Sequence, residues 1–430
     1  MKKTILYGML LALLPLPCVA AETVEPYYEQ ESNIADTLTG DWGGARTRLR
    51  DAGVDVFATY TTEVWYNARG GLRQGMTWDG LLDAGFSLDL DTLVKWPGAS
   101  LHVTGLWYQT DKSGSFDEDY VGTALAPSGL FANDAVRAFE IYLEQSLWEE
   151  SVVVKVGQMG ADSDFNLSDY AELFLNATFG TLPTSFFNPL SGTVTGGAEV
   201  LSTPQYSVAS PGVLVRYAPY DGAYIQGAIY AGNSGADTAA NHGFDWQTGG
   251  GSGWLFFGEI GHDYSLAGLK GTAKLGGTYH TGRFDNAVSG GTDRGLYSVY
   301  LMIDQTLLAD EAGDPVLAAF WRGGLAPRLA LAEFSSYTDA GLNWFGPLPG
   351  RPDDVAGVAL AYAGYSRDFT AANPGTQAAT TLIEVTYRAQ ITPWFALQPD
   401  MQVIFNPEIN PNSGVRETAL IFGGRGEITF

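Results

Sequence analysis

The chain has 430 residues, with 23 Lys and Arg against 48 Asp and Glu and a formal net charge of −25. That length admits two or three ordinary domains or one large barrel, and the acidic balance argues against nucleic acid, which rewards basic surfaces. Glycine (54 residues) and aromatics (13%) are abundant, a composition that membrane barrels share with lectins and propellers.

Residues 1–21 read as a signal peptide for export. Lys2 and Lys3 supply the charged start, residues 5–16 an apolar core too short to span a bilayer, and Cys18, Val19, Ala20 and Ala21 the small residues for cleavage. Cys18 is the single cysteine and follows Pro17, which argues against lipidation; the mature chain then has no disulfide or thiolate chemistry. No later stretch approaches about 18 unbroken apolar residues, so no transmembrane helix is expected. Such an exported chain is periplasmic, secreted or an outer-membrane barrel.

The N-terminal segment covers residues 22–53. Its first part is polar and aperiodic; a short helix is predicted over 44–52, with Asp41 as its cap and Gly53 as its stop. From residue 54 the period becomes two. Val54, Val56, Ala58, Tyr60, Thr62, Val64 and Tyr66 share one face of a strand, and Asp55, Thr59, Thr61, Glu63, Trp65 and Asn67 the other. Leu82, Ala84, Phe86, Leu88 and Leu90 then oppose Asp83, Ser87, Asp89 and Asp91, ahead of a turn at Trp96-Pro97-Gly98. Leu101, Val103 and Trp107 oppose His102 and Thr104. After a long polar loop over 110–134, Phe139, Ile141, Leu143 and Leu147 oppose Glu140, Tyr142 and Glu144, and Val152, Val154 and Val156 oppose Lys155.

Over residues 160–208 the pattern fails, for longer than an ordinary connection allows. This stretch is predicted to fold into a lumen as a constriction insert, with a short helix around 167–175. Alternation resumes over 212–217, 224–230, 254–264, 270–283, 295–307, 315–325, 336–345, 354–367, 379–390, 394–405 and 416–430. Counting from residue 54 gives about sixteen strands, with short turns alternating with longer polar loops. The expected fold class is all-β: a transmembrane antiparallel β-barrel over residues 54–430. Aromatics near strand ends (Trp65, Tyr66, Trp107, Tyr108, Trp254, Tyr264, Trp344, Trp394) suit interfacial girdles. In the last strand Leu420, Phe422, Ile428 and Phe430 alternate with Arg425 and Glu427. This strand is expected to pair with residues 54–66, close the ring and abolish the sheet edge. Its Phe430 ending is similar to the final strand of bacterial outer-membrane barrels, which makes the barrel assembly machinery an expected partner.

Several motifs sharpen this reading. Leu38-Thr39-Gly40-Asp41-Trp42-Gly43-Gly44-x-Arg46-x-x-Leu49-x-x-x-Gly53 resembles the opening of the carbohydrate-selective porins of the OprB type. So do Glu144-Gln145, Val156-Gly157-Gln158-Met159-x-x-Asp162-Ser163-Asp164-Phe165 and the run from Lys274 to Asp285. Later stretches that resemble the family are Asp339-Ala340-Gly341-Leu342-Asn343, Pro349-Gly350-Arg351-Pro352-Asp353-Asp354 and Gln398-Pro399-Asp400-x-Gln402-x-x-x-Asn406-Pro407. Asn176-Ala177-Thr178-Phe179-Gly180 is in family-like order but more diverged. The resemblance implies a sixteen-stranded barrel of the bacterial outer membrane that passes small sugars such as glucose by facilitated diffusion, in contact with lipid and lipopolysaccharide.

A neutral sugar must exchange water hydrogen bonds for wall hydrogen bonds of similar strength, which carboxylates, guanidinium and ammonium groups supply. On the parities above, the inward candidates are Glu63, Asp83, Asp89, Glu140, Glu144, Lys155, Arg216, Lys274, His280, Arg322, Asp339, Glu384, Arg388, Asp400, Arg425 and Glu427, joined by Asp162, Asp164 and Asn176 from the insert. For each, the plainer alternative is a wall charge or salt bridge that keeps the interior polar. Trp65 and Trp321 are candidate stacking platforms, with Trp65 placed preferentially as an interface anchor. An enzyme is the rival class. His102, His242, His262 and His280 form no HExxH or His/Cys cluster, and no G-x-S-x-G accompanies them, so no catalytic residue, metal or cofactor is expected. A general diffusion porin is the nearest functional alternative.

Overall fold

A backbone inside a bilayer has no water to bond, so a sheet can cross only if it has no edge. The computed structural model, which describes residues 33–111, 115–186, 202–249, 251–407 and 417–430, meets that condition. The expected signal peptide lies outside the described residues. The strands are β1 (Val54–Arg69), β2 (Gly75–Asp89), β3 (Ala99–Thr110), β4 (Val136–Leu147), β5 (Val152–Met159), β6 (Ser210–Tyr220), β7 (Ala223–Ala231) and β8 (Trp254–Leu266). They continue with β9 (Leu269–Asp285), β10 (Thr292–Ala309), β11 (Pro315–Leu325), β12 (Phe334–Phe345), β13 (Val355–Tyr365), β14 (Ala379–Thr392), β15 (Phe395–Phe405) and β16 (Ala419–Thr429). Each pairs antiparallel with its sequence neighbours, and β16 pairs with β1 to close the barrel, with Thr59 opposite Thr429, Glu63 opposite Arg425 and Tyr66 opposite Phe422. No helix among the described residues is long and apolar enough to cross a membrane.

Alternation puts the branched and aromatic set outside. Val64, Tyr66, Trp107, Leu275, Val299, Leu360 and Phe422 are all exposed on the outer wall. The two ends of the barrel differ. One carries tight connections, among them 148–151, 221–222, 267–268 and 393–394; the other carries the long ones at 111–135, 160–209 and 232–253.

Helix α1 (Ala45–Asp51) sits at the short-turn end. Asp41 lies upstream of the formal cap position yet does the capping work: its Oδ1 accepts from the Thr47 amide at 2.8 Å and the Thr47 hydroxyl at 2.9 Å. Those bonds hold its carboxyl below the usual range. Gly53 follows the helix at φ +87°, a conformation that costs a glycine nothing. The helix clips onto the seam through buried Arg46, whose guanidinium donates to the Val56 carbonyl at 2.8 Å and the Phe430 carbonyl at 3.0 Å.

Some expected boundaries shift. β2 begins at Gly75 rather than near residue 82 and ends at Asp89, because the chain there turns into helix α2 (Leu90–Val94). Asp89 caps that helix, accepting from the Asp91 amide at 2.9 Å, so it does not line the lumen as expected. In β4 the register slips by one residue against β3 between Val103 and Gly105. The extra residue turns Phe139 inward beside Glu140, where it packs with Leu106, Tyr108 and Leu130 instead of facing lipid. Helix over 167–175 is not found. Among the described residues of the insert the only helix is α3 (Ala177–Gly180); upstream, isolated turns such as the Glu172 amide on the Ser168 carbonyl at 3.2 Å alternate with amides held by the wall.

The barrel interior holds a packed core. The loop over 111–135 was expected to be a plain polar connection. Instead its π-helical turn Phe116–Val121 buries Phe116, Tyr120 and Val121 against Trp65, and they pack in one cluster with insert residues Phe174, Leu175 and Phe179. The wall makes room for them with small side chains, Ala359, Ala361 and Ala363 on β13.

Candidate functional site

From Gly160 the insert runs along the inner wall, and at nearly every step one wall side chain holds it. On β4, Glu140 accepts from the Gly160 amide and the Ser163 hydroxyl, each at 2.9 Å. Asp162 ties the neck of the insert together by accepting from the Tyr206 amide at 2.8 Å. On β5, Lys155 donates to Asp164 at 2.9 Å and lies 3.7 Å from Glu144. On β9, Lys274 donates to the Leu167 carbonyl at 2.8 Å, and on β10 Asp304 accepts from the Ser168 hydroxyl at 2.6 Å. On β15, Gln398 donates to the Leu173 carbonyl at 2.7 Å.

The tip of the insert is the most tightly held part. Glu384 on β14 accepts from two successive amides, Leu175 at 2.6 Å and Asn176 at 3.1 Å. The Asn176 side chain donates to Gln402 at 3.0 Å and to the Leu125 carbonyl at 3.1 Å, which locks the insert to the loop over 111–135. Gln402 donates in turn to Asp400 at 3.1 Å. Arg322 and Asp339 face each other across β11 and β12, paired at 2.5 Å and wholly shut off from water, and Arg322 also donates to the Thr178 carbonyl at 2.7 Å.

The expected candidates therefore fall into two sets. Glu140, Asp162, Asn176, Lys274, Arg322, Asp339, Glu384 and Asp400 are held in bonds that seat or brace the insert. His280 is also spoken for: it is buried, with Nε2 against the Gly232 carbonyl at 2.7 Å and Nδ1 accepting from the Gly282 amide. The second set keeps contact with the lumen. Arg425 is 22% exposed and pairs at 2.6 Å across the seam with Glu63, which is itself shut off from water. Lys155, Glu144 and Asp164 form a mixed-sign group on the β4–β5 wall and retain 12%, 15% and 11% side-chain exposure. Arg388 and Glu427 pair at 2.9 Å near the short-turn end and are 31% and 26% exposed. Asp83 is only partly buried on the inner face of β2, and Arg216 lies 4.1 Å over the Tyr224 ring.

Two aromatic expectations are corrected. Trp65 is no interface anchor: it is fully buried inside the barrel and donates its indole N–H to Glu63 at 2.7 Å. Room for it comes from Gly423 across the seam, where a Cβ would lie 2.3 Å from the ring. Trp321 is 41% exposed on the outer wall, opposite in parity to buried Arg322, so it offers no stacking face to the lumen.

Several side chains that hold the insert or brace the inner wall escaped the sequence reading. Glu259 on β8 accepts from Tyr224 and Tyr300, each at 2.7 Å, and from Gln226 at 3.1 Å. It was hidden because its inner neighbours Leu255 and Phe257 are apolar and pack on insert residues Phe165 and Phe186. Asp304 shares its face with Met302 and Tyr300 in the same way. Gln398 and Gln402 did carry a signal, since they flank Asp400 at period two, but they are uncharged.

The sequence model described as "Carbohydrate-selective porin, OprB family" matches residues 73–430. The chain belongs to that family. Porin B of Pseudomonas aeruginosa is 22% identical over 410 residues, covering 86% of this chain and 87% of that one. The structure of Pseudomonas putida OprB at high pH aligns with a TM-score of 0.78 and 22% identity, covering 92% of this chain and 98% of that one. The low-pH structure of the same protein aligns at 0.59 and 18% with the same coverage. This porin is thus a non-enzymatic, sugar-conducting channel of the outer membrane, built on a closed sixteen-stranded barrel.

Proposed function

We propose that this porin passes neutral monosaccharides and other small sugars along the lumen that the insert leaves open, past Glu63–Arg425, Asp83 and the Glu144–Lys155–Asp164 group, and out by Arg388–Glu427. The observation that carries this reading is that the cations in contact with water are each paired with a carboxylate: Lys155 with Glu144 and Asp164, Arg388 with Glu427, and Arg425 with the buried Glu63. A paired carboxylate and cation offer acceptors and donors side by side, which suits a polyol, while their charges cancel toward an ion. The buried anchors (Glu140, Arg322, Asp339, Glu384) set the position of the insert and so the width of the route.

In this reading residues 1–21 direct export, the long-loop end faces outward toward lipopolysaccharide, and the short-turn end faces the periplasm. The last strand engages the barrel assembly machinery before it pairs with β1. Swelling of liposomes that contain the purified chain tests the sugar route. Monosaccharides should enter several times faster than amino acids of equal size; equal rates would reduce the protein to a size-limited pore, and slower sugar entry would exclude a sugar preference.

A further inference from the structure

At the short-turn end the proposed route leaves past Arg388 and Glu427. A cavity of about 520 Å³ opens there, lined by Asp36, Asp353, Arg388, Gln390, Trp394 and Glu427 among others. That size lies within the range of roughly 300–1,000 Å³ usual for small-molecule sites. We propose that it is a second sugar subsite, at which a pyranose pauses before release. The proposal rests on the reading of this pore as a sugar route and adds to it a place and a chemistry.

The lining is built rather than accidental. Arg388 donates to Glu427 at 2.9 Å and to Gln390 Oε1. Gln390 is fixed in turn, its backbone N–H donating to Asp354 at 3.0 Å and its side chain to the Thr392 carbonyl at 2.7 Å. Two exposed carboxylates reach the same space from elsewhere in the chain. Asp353 comes from the β12–β13 turn. Asp36 comes from the N-terminal segment, where Asn33 steadies it at 2.8 Å and the Leu38 amide pins the segment to the Thr429 carbonyl at 2.8 Å. Trp394 lines the cavity and is braced by Phe395, with ring centres 6.0 Å apart.

A pyranose presents hydroxyl donors at its rim and C–H groups on its faces. Three carboxylates meet the first, an indole meets the second, and one guanidinium supplies a donor. Three acids against one cation also turn away anionic solutes. A weak site at the exit fits conduction through several shallow stations, in which no single one holds the solute.

The test uses the full chain in planar bilayers, with glucose added to one side at a time and block read from current noise. Trp394→Ala and Asp353→Ala should each weaken glucose block from the short-turn side about fivefold, the worth of one good contact, while Trp394→Phe keeps most of it. Trp148→Ala, an exposed residue of another turn at the same mouth, should behave as the wild type on both sides. Asp353 lies on an exposed turn, so its variant keeps the test open where Trp394→Ala fails to assemble. If the wild type is blocked and both variants are blocked equally, the subsite is overturned and the sugar route stands. If glucose blocks the wild type from neither side, both readings fall.

Discussion

Arg322 and Asp339 show how one pair can matter to transport without meeting a solute. Their charges sit in register on β11 and β12, away from water, and the arginine also holds the Thr178 carbonyl of the insert. Removing one partner of such a pair leaves an uncompensated charge and costs about 3–5 kcal/mol, whereas an apolar replacement of both costs far less. Arg322→Ala should therefore lower the unfolding midpoint of the detergent-solubilised barrel markedly, and Arg322→Met with Asp339→Leu should recover much of the loss; equal midpoints for wild type and Arg322→Ala would show that the pair does not seat the insert. The Glu63–Arg425 pair should respond differently because Arg425 keeps some exposure. Arg425→Gln removes a partly exposed cation and leaves the buried Glu63 carboxylate without it, so the reversal potential in a potassium chloride gradient should move toward cation preference; an unchanged potential would place the pair off the conducting path. Which charges anchor the insert and which keep contact with water was not legible in the sequence. Lys274 and Arg322 both alternate correctly on strands and both end on a carbonyl of the insert, yet Lys274 stays partly exposed while Arg322 is wholly buried, a difference that only the position of the insert decides.

At the scale of elements, the strands were largely legible because lipid on one side and water or polar packing on the other impose period two almost throughout. The failures have local causes. The β4 bulge adds a residue that no alternation reveals, which turned Phe139 from a lipid-facing residue into an inner one. The described part of the insert has no period because its backbone bonds are divided between isolated turns, such as Glu172 on Ser168, and wall side chains, as the two amides on Glu384 show, and so the expected helix over 167–175 does not form. Helix α1 was readable, since Asp41 and Gly53 bracket it. Its cap also predicts a pH dependence. Asp41 has a carboxyl held below the ordinary 3.8 by Thr47, so the charged form is favoured in the folded helix. That contribution is fully present above pH 3.8 and is lost as pH falls through the lowered value. Protection of the Thr47 amide from hydrogen exchange, relative to its intrinsic rate at each pH, should be high at neutral pH and fall in strong acid, and Asp41→Asn should remove much of the change; an acid response identical in the variant would assign it to another group.

For the whole molecule, the many bonds between the described part of the insert and the wall hold it in place, so that in the proposed route it acts as a fixed filter rather than a moving lid. Ser168 and Asp304 touch at 2.6 Å, and the chain's one cysteine, Cys18, lies in the expected signal peptide, so a Ser168→Cys, Asp304→Cys pair offers a clean crosslink. Oxidising it should leave sugar swelling rates within about twofold of the reduced form, because a segment already seated loses little by being tied; a large drop would show that the insert must move for each solute. Glu63 links this filter to the shell around it. Its carboxylate takes Arg425 of the closing strand, the Trp65 indole of the opening strand at 2.7 Å, and Ser128 of an incoming loop at 2.5 Å. Bonds that share one acceptor do not add independently. A ring that shuts around an empty lumen lacks the Ser128 bond, and a loop that enters an unclosed ring finds a carboxylate without its arginine. Closing the shell and filling it thus strengthen one another at a single side chain.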